Sequence, residues 1–349
     1  MNIKINKDII FDYNSKKGPL IISEISSNHG GSKKKFLKLI EGSFDNGADL
    51  VKIQTYEPQD ITLKENKFKI KKGLWKNKIL WNLYQKACTP FEWHYDAFKI
   101  AKKKNKLLFS TPFSIRALEF LKQFNPKIYK ISSFEITDLN LINEISKTKK
   151  PIILSTGASS IKEIENAIKV IKKHHNKIII LHCISNYPTT LNETNFFRLK
   201  YLKKKFNNNL IGLSDHTTDN YAALCASTLG IVAIEKHVKL NENSVSEDSK
   251  FSISLKNLKK LKKQVQDINI SLSETKNKIE FSLDKKNRIY RRSIFAKIDI
   301  EKGKKLSEKN IQTLRPKVGL SANKYFKIIG KKTKKRIKKN TPIFLGDLK

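Results

Sequence analysis

Two apolar runs in this chain end in histidine set among charges. "LIGLSDHT" (210–217) delivers Ser214, Asp215 and His216, and "IVAIEKHV" (231–238) delivers Glu235, Lys236 and His237. Neutral imidazoles are ligands for divalent transition metals, and a site with few protein ligands keeps positions open for water and substrate. A second reading stays open at this point, in which each histidine is a structural residue bonded where it stands. No nearby thiolate is expected at either one, which favours a Lewis-acid site over a structural zinc. Asp215 has no evident partner; one role open to it is to orient a ligand histidine from behind.

Other apolar runs end in a different chemistry. Lys52 and Lys130 close two of them, and Thr111, Ser133, Ser155 and Ser214 close others. Two ammonium groups among hydroxyl donors make a cradle for a phosphate or carboxylate without a glycine-rich loop. In a chain with 64 lysines the competing expectation is that these side chains reach outward to solvent. Glu24, at the end of the first run, is placed to act as an acid/base or to accept a substrate hydroxyl.

These residues need a scaffold that gathers strand ends. Short apolar runs at 20–26, 50–54, 106–110, 127–132, 151–155, 177–183, 210–214 and 231–237 alternate with amphipathic stretches. The stretch at 32–47 sets Phe36, Leu37, Ile40 and Phe44 on one face and ends in Gly47, a helix C-cap. The stretch at 159–175 opens on serine and repeats Ile161, Ile164, Ala167, Ile168 and Ile171. Eight β/α repeats over about 250 residues predict an α/β fold of the (β/α)8 TIM-barrel type, whose C-terminal strand rim gathers catalytic groups. The polar strand ends comprise Glu24; Lys52 and Gln54; Ser110 and Thr111; Lys130, Ser132 and Ser133; Ser155; His182; Ser214 and His216; Lys236 and His237. Together they predict one polar cup. The insertion at 56–90 reads either as an extra helix packed on the barrel or as a lid. The domain expectation is a barrel over 1–272, a polar linker over 273–289, and a small, basic, β-rich domain over 290–349.

Composition narrows the class. The chain has 349 residues, 39% of them hydrophobic, and no run near the roughly 20 apolar residues that span a bilayer. Its start lacks a signal-peptide core, and three cysteines without CxxC spacing suit a reducing cytoplasm. A net charge of +39 raises the reading of a nucleic-acid binder, with "KKTKKRIKK" (331–339) as its densest patch. Against it, only 7 of the 71 basic residues are arginine, and the lysines are spread along the whole chain. The expectation is therefore no nucleic acid and no membrane, with acidic small molecules as partners.

"ISEISSNHGGS", "GADLVKIQTY", "FSTPF", "KISSFEITDL", "LSTGAS", "LHCISNYPT", "GLSDHT" and "EKHVKL" occur in this order. The set resembles the N-acetylneuraminate (sialic acid) synthase family, whose members condense phosphoenolpyruvate (PEP) with an amino-sugar aldehyde to make nine-carbon sialic acids. "RRSIFAKIDIEKGKKLSEKNIQTLRP" resembles the antifreeze-like (SAF) domain that follows the barrel in that family. Residues 52–63 and 74–94 look most like the pseudaminic acid branch, with N-acetylneuraminate and legionaminic acid synthases as the near alternatives. The resemblance implies His216 and His237 as metal ligands, for manganese or magnesium. It implies Lys52, Thr111, Lys130, Ser133, Ser155 and Ser214 as PEP-binding groups and Glu24 as the catalytic carboxylate. Gln54, Tyr187 and Asp248 fall to the sugar, and Arg315 is the arginine that a partner's small domain inserts into the barrel mouth of a domain-swapped homodimer. Two departures stand out. "SVSEDSK" puts Glu247 directly before Asp248, an added charge beside a sugar contact, and "NHGG" stands in place of the commoner "NHNG".

Overall fold

The computed structural model describes residues 1–272 and 284–349 as two compact units, Met1–Ser273 and Glu274–Lys349. Most of the expected linker, 273–283, lies outside the described residues. The first unit opens with an antiparallel hairpin, β1 (Asn2–Lys4) and β2 (Ile10–Asp12). Eight parallel strands follow: β3 (Leu20–Glu24), β4 (Leu50–Thr55), β5 (Leu107–Pro112), β6 (Tyr129–Ile131), β7 (Ile152–Ser155), β8 (Ile178–Cys183), β9 (Leu210–Asp215) and β10 (Ala233–Lys239). Each pairs with the next, and β10 pairs with both β9 and β3, so the sheet closes into the expected barrel.

The connecting helices are α1 (Lys33–Asp45), α2 (Leu80–Ala87), α3 (Phe91–Lys103), α4 (Ile115–Lys122), α5 (Leu139–Lys147), α6 (Ile161–Lys172), α7 (Phe196–Lys205), α8 (Tyr221–Thr228) and α9 (Leu255–Leu272). Their starts follow local chemistry. Ser160 caps α6 by accepting from Glu163 N at 3.3 Å while Glu163 returns a carboxylate to Ser160 N, a reciprocal box that satisfies two orphan donors. Ser32 caps α1 in the same sense, and Gly47 follows its end with φ +96°, a conformation glycine adopts without strain. Leu39, rather than the expected Leu37, lies in the fully buried stripe of α1.

Strand periodicity divides the barrel into two environments. Leu20, Ile22, Leu50, Leu107, Phe109, Ile128, Ile153, Ile179, Leu181, Leu210 and Ala233 fill the interior, with Ile3, Ile9 and Phe11 of the hairpin region in the same cluster. The alternate residues pack outward against the helices. A side chain two or four positions beyond an interior residue therefore also points inward, which decides which polar strand ends reach the cup. The second unit pairs β11 (Ser293–Ala296) with β12 (Ile311–Leu314) antiparallel, over a core that includes Ile294, Ile300, Leu306, Ile337 and Ile343. (A two-residue pairing at Ile253–Ser254 extends β10 and is left unlabelled.)

Gly212, on β9, faces the seam that closes the barrel. A Cβ there would sit 2.6 Å from Leu181 Cδ2 and 2.7 Å from the Ala233 carbonyl oxygen on β10. Backbone must move to admit it. Gly212→Ala should lower stability by about 1–3 kcal/mol, read as a reduced urea midpoint with an unchanged slope.

Candidate active site

Inward parity collects the predicted residues. Glu24, Lys52, Gln54, Thr111, Lys130, Ser155, Ser214 and His237 all lie in step with the interior residues of their strands, and His216 follows β9 in the same phase. Three expected members of the cup do not reach it, because they occupy the opposite parity. Ser110 bonds Thr55 Oγ1 at 2.6 Å and the Ile53 carbonyl at 3.0 Å. His182 bonds the Thr194 carbonyl at 2.7 Å, and burial holds its pKa down to about 4. Lys236 pairs with Asp215 on the outer face of its strand.

At the floor of the cup lies a buried charge network. Lys130 Nζ donates to both oxygens of Glu235, at 2.7 and 2.8 Å. Lys52 Nζ lies 2.6 Å from Glu24 and 3.6 Å from Glu235, and donates to Thr111 Oγ1 at 3.4 Å. Ser214 Oγ donates to Glu235 Oε1 at 3.2 Å. All four charged side chains are at most 5% exposed, so the expectation of solvated lysines is excluded at these two positions. Burial alone would discharge the ammonium groups. At Lys52 that pull is outweighed by Glu235 and Glu24, and its pKa rises; at Lys130 burial prevails over Glu235 and the pKa falls. The carboxylates divide as well. Burial dominates at Glu24 and raises its pKa, whereas at Glu235 burial is overcome by Lys130 and Lys52 and the pKa falls.

The network continues toward the mouth. Gln54 Nε2 donates to Glu24 Oε1 at 3.0 Å and to Ser26 Oγ at 3.1 Å, and Ser26 Oγ in turn donates to Asp248. Asp248 also accepts from Ser27 N at 3.3 Å, and burial raises its pKa. Ser133 Oγ accepts from Gly157 N at 3.0 Å, while the Ser155 hydroxyl is buried without a partner. Gly30 of "NHGG" has φ +54°, a left-handed conformation that asparagine also tolerates, so nothing in the backbone demands this departure.

The histidine rings of 216 and 237 are 5.2 Å apart, centroid to centroid. His216 Nδ1 lies 2.8 Å from the Ile184 carbonyl, which can only accept, so Nδ1 carries a proton and Nε2 is the nitrogen open to a metal. Burial lowers the ring's pKa, but Cys183 and the Ile184 bond outweigh it and the pKa rises, so a cation must displace any Nε2 proton. His237 Nδ1 is buried without a partner. Its pKa falls well below the ordinary value, through burial first and then repulsion from His216, Lys52 and Lys130. A neutral ring with an orphaned nitrogen beside a second, oriented ring fits a divalent cation. Among the described residues no cluster of three or more His, Cys, Asp or Glu has metal-holding geometry, so two imidazoles would be the protein's share. One sequence expectation is corrected. A thiol does lie nearby, since Cys183 Sγ is 3.9 Å from His216 Nδ1, brought there by the β8–β9 pairing.

Aromatic rings wall the site. Tyr187 lies 4.4 Å from His216, Phe251 4.9 Å from His237, and Trp75 5.5 Å from Tyr187 and 5.9 Å from Phe251. Trp75 comes from the 56–90 insertion, which bears out the expected extra helix. It contains helix α2 and, before it, a strap closed by the Lys69–Ile79 bridge. Trp75 Nε1 donates to the Glu247 carbonyl at 3.0 Å and Lys78 pairs with the Glu247 carboxylate, which thus turns away while Asp248 turns in. The added charge is drawn to Lys78, yet it still contributes to the rise in the Asp248 pKa. The sequence assigned no site role to Glu235, although it was noted at its strand end, nor to Phe251, Trp75, Cys183 or Glu135, the last of which accepts from Ser132 Oγ just past β6. Arg315 belongs to the second unit, where it is exposed just beyond β12.

A closed parallel barrel whose polar residues meet at the C-terminal rim is the architecture of an enzyme. Residues 39–277 match the NeuB family and residues 291–349 the SAF domain. The chain belongs to the NeuB family. It is 40% identical to a pseudaminic acid synthase of Campylobacter jejuni over 97% of this chain and 99% of that protein. An N,N'-diacetyllegionaminic acid synthase from the same species is 37% identical over 93% of this chain and 98% of its own length. Among solved structures, an N-acetylneuraminic acid synthetase from Leptospira borgpetersenii superposes with a TM-score of 0.73 at 28% identity, covering 82% of this chain and 95% of that one.

Burial raises the Glu135 pKa from the ordinary 4.5 to about 7, with Asp138 adding to the effect. Below about pH 4.5 the carboxyl is protonated in folded and unfolded chains alike. As pH rises toward 7 the unfolded chain ionises first, so the protein loses stability across that window and no further above it. Glu135→Gln should remove this slope, read from unfolding free energies between pH 4.5 and 7.5.

Proposed function

We propose that this protein is a pseudaminic acid synthase, which condenses phosphoenolpyruvate with an N-acetylated amino-sugar aldehyde to give a nine-carbon nonulosonic acid and phosphate. The observation that carries the reading is the pair of buried lysines sharing one cup with buried hydroxyls and two imidazoles. Each ammonium has three donors. Lys130 spends two donors on Glu235 and keeps one for an anion, whereas Lys52 faces Glu24, Thr111 and, at 3.6 Å, Glu235, and would turn a donor from the more distant of these to the anion. Lys52, Lys130, Thr111, Ser133, Ser155 and Ser214 would hold the phosphate and carboxylate of PEP. Gln54, Tyr187 and Asp248 would hold the sugar.

Positioning is the largest contribution such a site can make, because two reactants must meet with C3 of PEP facing the aldehyde carbon. A divalent cation held by His216 and His237, manganese or magnesium, supplies Lewis-acid polarisation of the aldehyde oxygen when bound. As C3 bonds to that carbon, positive charge develops at C2, where the ionised Glu235 lowers its energy. Glu24, with its raised pKa, orients the water that adds to C2, takes one of its protons and passes it to the former aldehyde oxygen; the C2 hydroxyl then collapses to a ketone, its proton leaving with the expelled phosphate. The aromatic wall of Trp75, Tyr187 and Phe251 keeps bulk water from the reacting carbons.

The further expectations belong to the same reading. A homodimer would bring Arg315 of one copy to the sugar in the barrel mouth of the other. Three free cysteines and a PEP substrate suit the cytoplasm, and among the described residues no helix is long and apolar enough to cross a membrane. The barrel over 1–272, linker over 273–289 and SAF domain over 290–349 are proposed as the functional division. Legionaminic and N-acetylneuraminic acid synthesis are the nearest competing activities, given the legionaminate relative.

The test is to supply PEP with a panel of N-acetylated hexoses, with and without manganese, and to measure phosphate release and product mass. Manganese-dependent turnover is expected with the N-acetylated amino sugar of the pseudaminate series, and His237→Ala should lower kcat by at least about a hundredfold. Turnover only with another sugar series would reassign the activity, and full phosphate release by His237→Ala in chelator would exclude the metal role.

A further inference from the structure

We infer that Asp215 and Lys236 clamp the seam between the two histidine-bearing strands and so set the separation of His216 and His237. The inference rests on reading those histidines as cation ligands. The β9–β10 ladder runs through Ile234–Leu213 and Glu235–Ser214 and ends at Lys236–Asp215. His216 and His237 are the next residues along, so on this seam no ladder pair ties one to the other. On the outer face of the last pair, the Lys236 ammonium does that work instead. It donates to Asp215 Oδ2 at 2.6 Å, to the Thr217 carbonyl at 2.6 Å and to Thr217 Oγ1 at 3.1 Å. Asp215 Oδ1 accepts from Thr217 N at 2.9 Å. Both chain neighbours of His216 are therefore tied to the residue that precedes His237.

The clamp is dry and complete. Lys236 is fully buried and uses all three of its donors, and Asp215 is 4% exposed. A buried ion pair adds little stability over an apolar pair of the same size, but it fixes geometry directionally. Neither partner is bonded to an imidazole, since His216 Nδ1 is committed to the Ile184 carbonyl. Asp215 and Lys236 are thus positioning residues that act through the backbone, with a secondary influence of their charges on His216 and His237, and this differs from the hydrogen-bonded role behind a ligand ring that the sequence left open for Asp215.

The test uses the full-length chain with Asp215→Asn/Lys236→Met, which removes both charges together and strands neither. Manganese affinity is measured by the electron paramagnetic resonance of free Mn2+, and folding by circular dichroism. The folded double variant should bind Mn2+ about tenfold or more weakly. Its turnover at low manganese should fall and be restored by saturating manganese, with metal-free PEP affinity unchanged. A folded double variant with the parent's manganese affinity would overturn the inference. If the double variant does not fold, the same measurements on Thr217→Val decide, because that change removes the hydroxyl's bonds to Lys236 and Asp215 and keeps the ion pair; parental affinity there also overturns it. His237→Ala, run alongside, separates the two levels: if it binds Mn2+ as the parent does, the metal reading itself fails and the clamp with it.

Discussion

The site depends on keeping two ammonium groups and two carboxylates buried in one barrel mouth. An isolated charge of this kind costs several kcal/mol to desolvate, so each must be paired with good geometry. Lys130 on Glu235 and Lys52 on Glu24 meet that condition, and Glu235 links the pairs. The strand order makes it possible. β3, β4, β6 and β10 point one of these residues each at the same volume, and no single element could supply all four. The arrangement also separates the carboxylates chemically. Burial raises Glu24, whereas two neighbouring ammonium groups lower Glu235, which is how one site keeps a proton carrier beside a permanent anion.

The aromatic wall and the strap follow from the same constraint. Charges bound in a dry cup act strongly only while water stays out. Trp75, Tyr187 and Phe251 arrive from three separate segments and meet around the two histidines. The strap is fastened to the loop that carries Asp248 through the Trp75 and Lys78 contacts with Glu247. A charge that looked like an intrusion in the sequence therefore serves as the fastening point.

The barrel was legible because its strands are apolar and alternate with amphipathic helices, several of which open on capping side chains. The inward-facing residues were legible too, since Glu24, Lys52, Gln54, Thr111 and His237 all keep the interior period of their strands. The same period would have sorted Lys236 from His237 and His182 from Cys183, had it been applied within each run rather than to run ends as a whole. Other features had no local signal. Phe251 and Trp75 are ordinary aromatics until tertiary folding brings them to the histidines, and Cys183 lies 33 residues from His216 along the chain. Glu235 was visible but gave no sign that it would bridge two lysines from distant strands.

The central claim is that this buried network is the PEP site. Calorimetric titration of PEP into the full-length protein, without sugar, tests it most directly. Saturable binding of one PEP per chain is predicted, weakened at least about tenfold by Lys130→Met, which removes one charge-assisted contact. Equal affinity in the folded Lys130→Met variant, or no binding by the parent chain, would contradict the account.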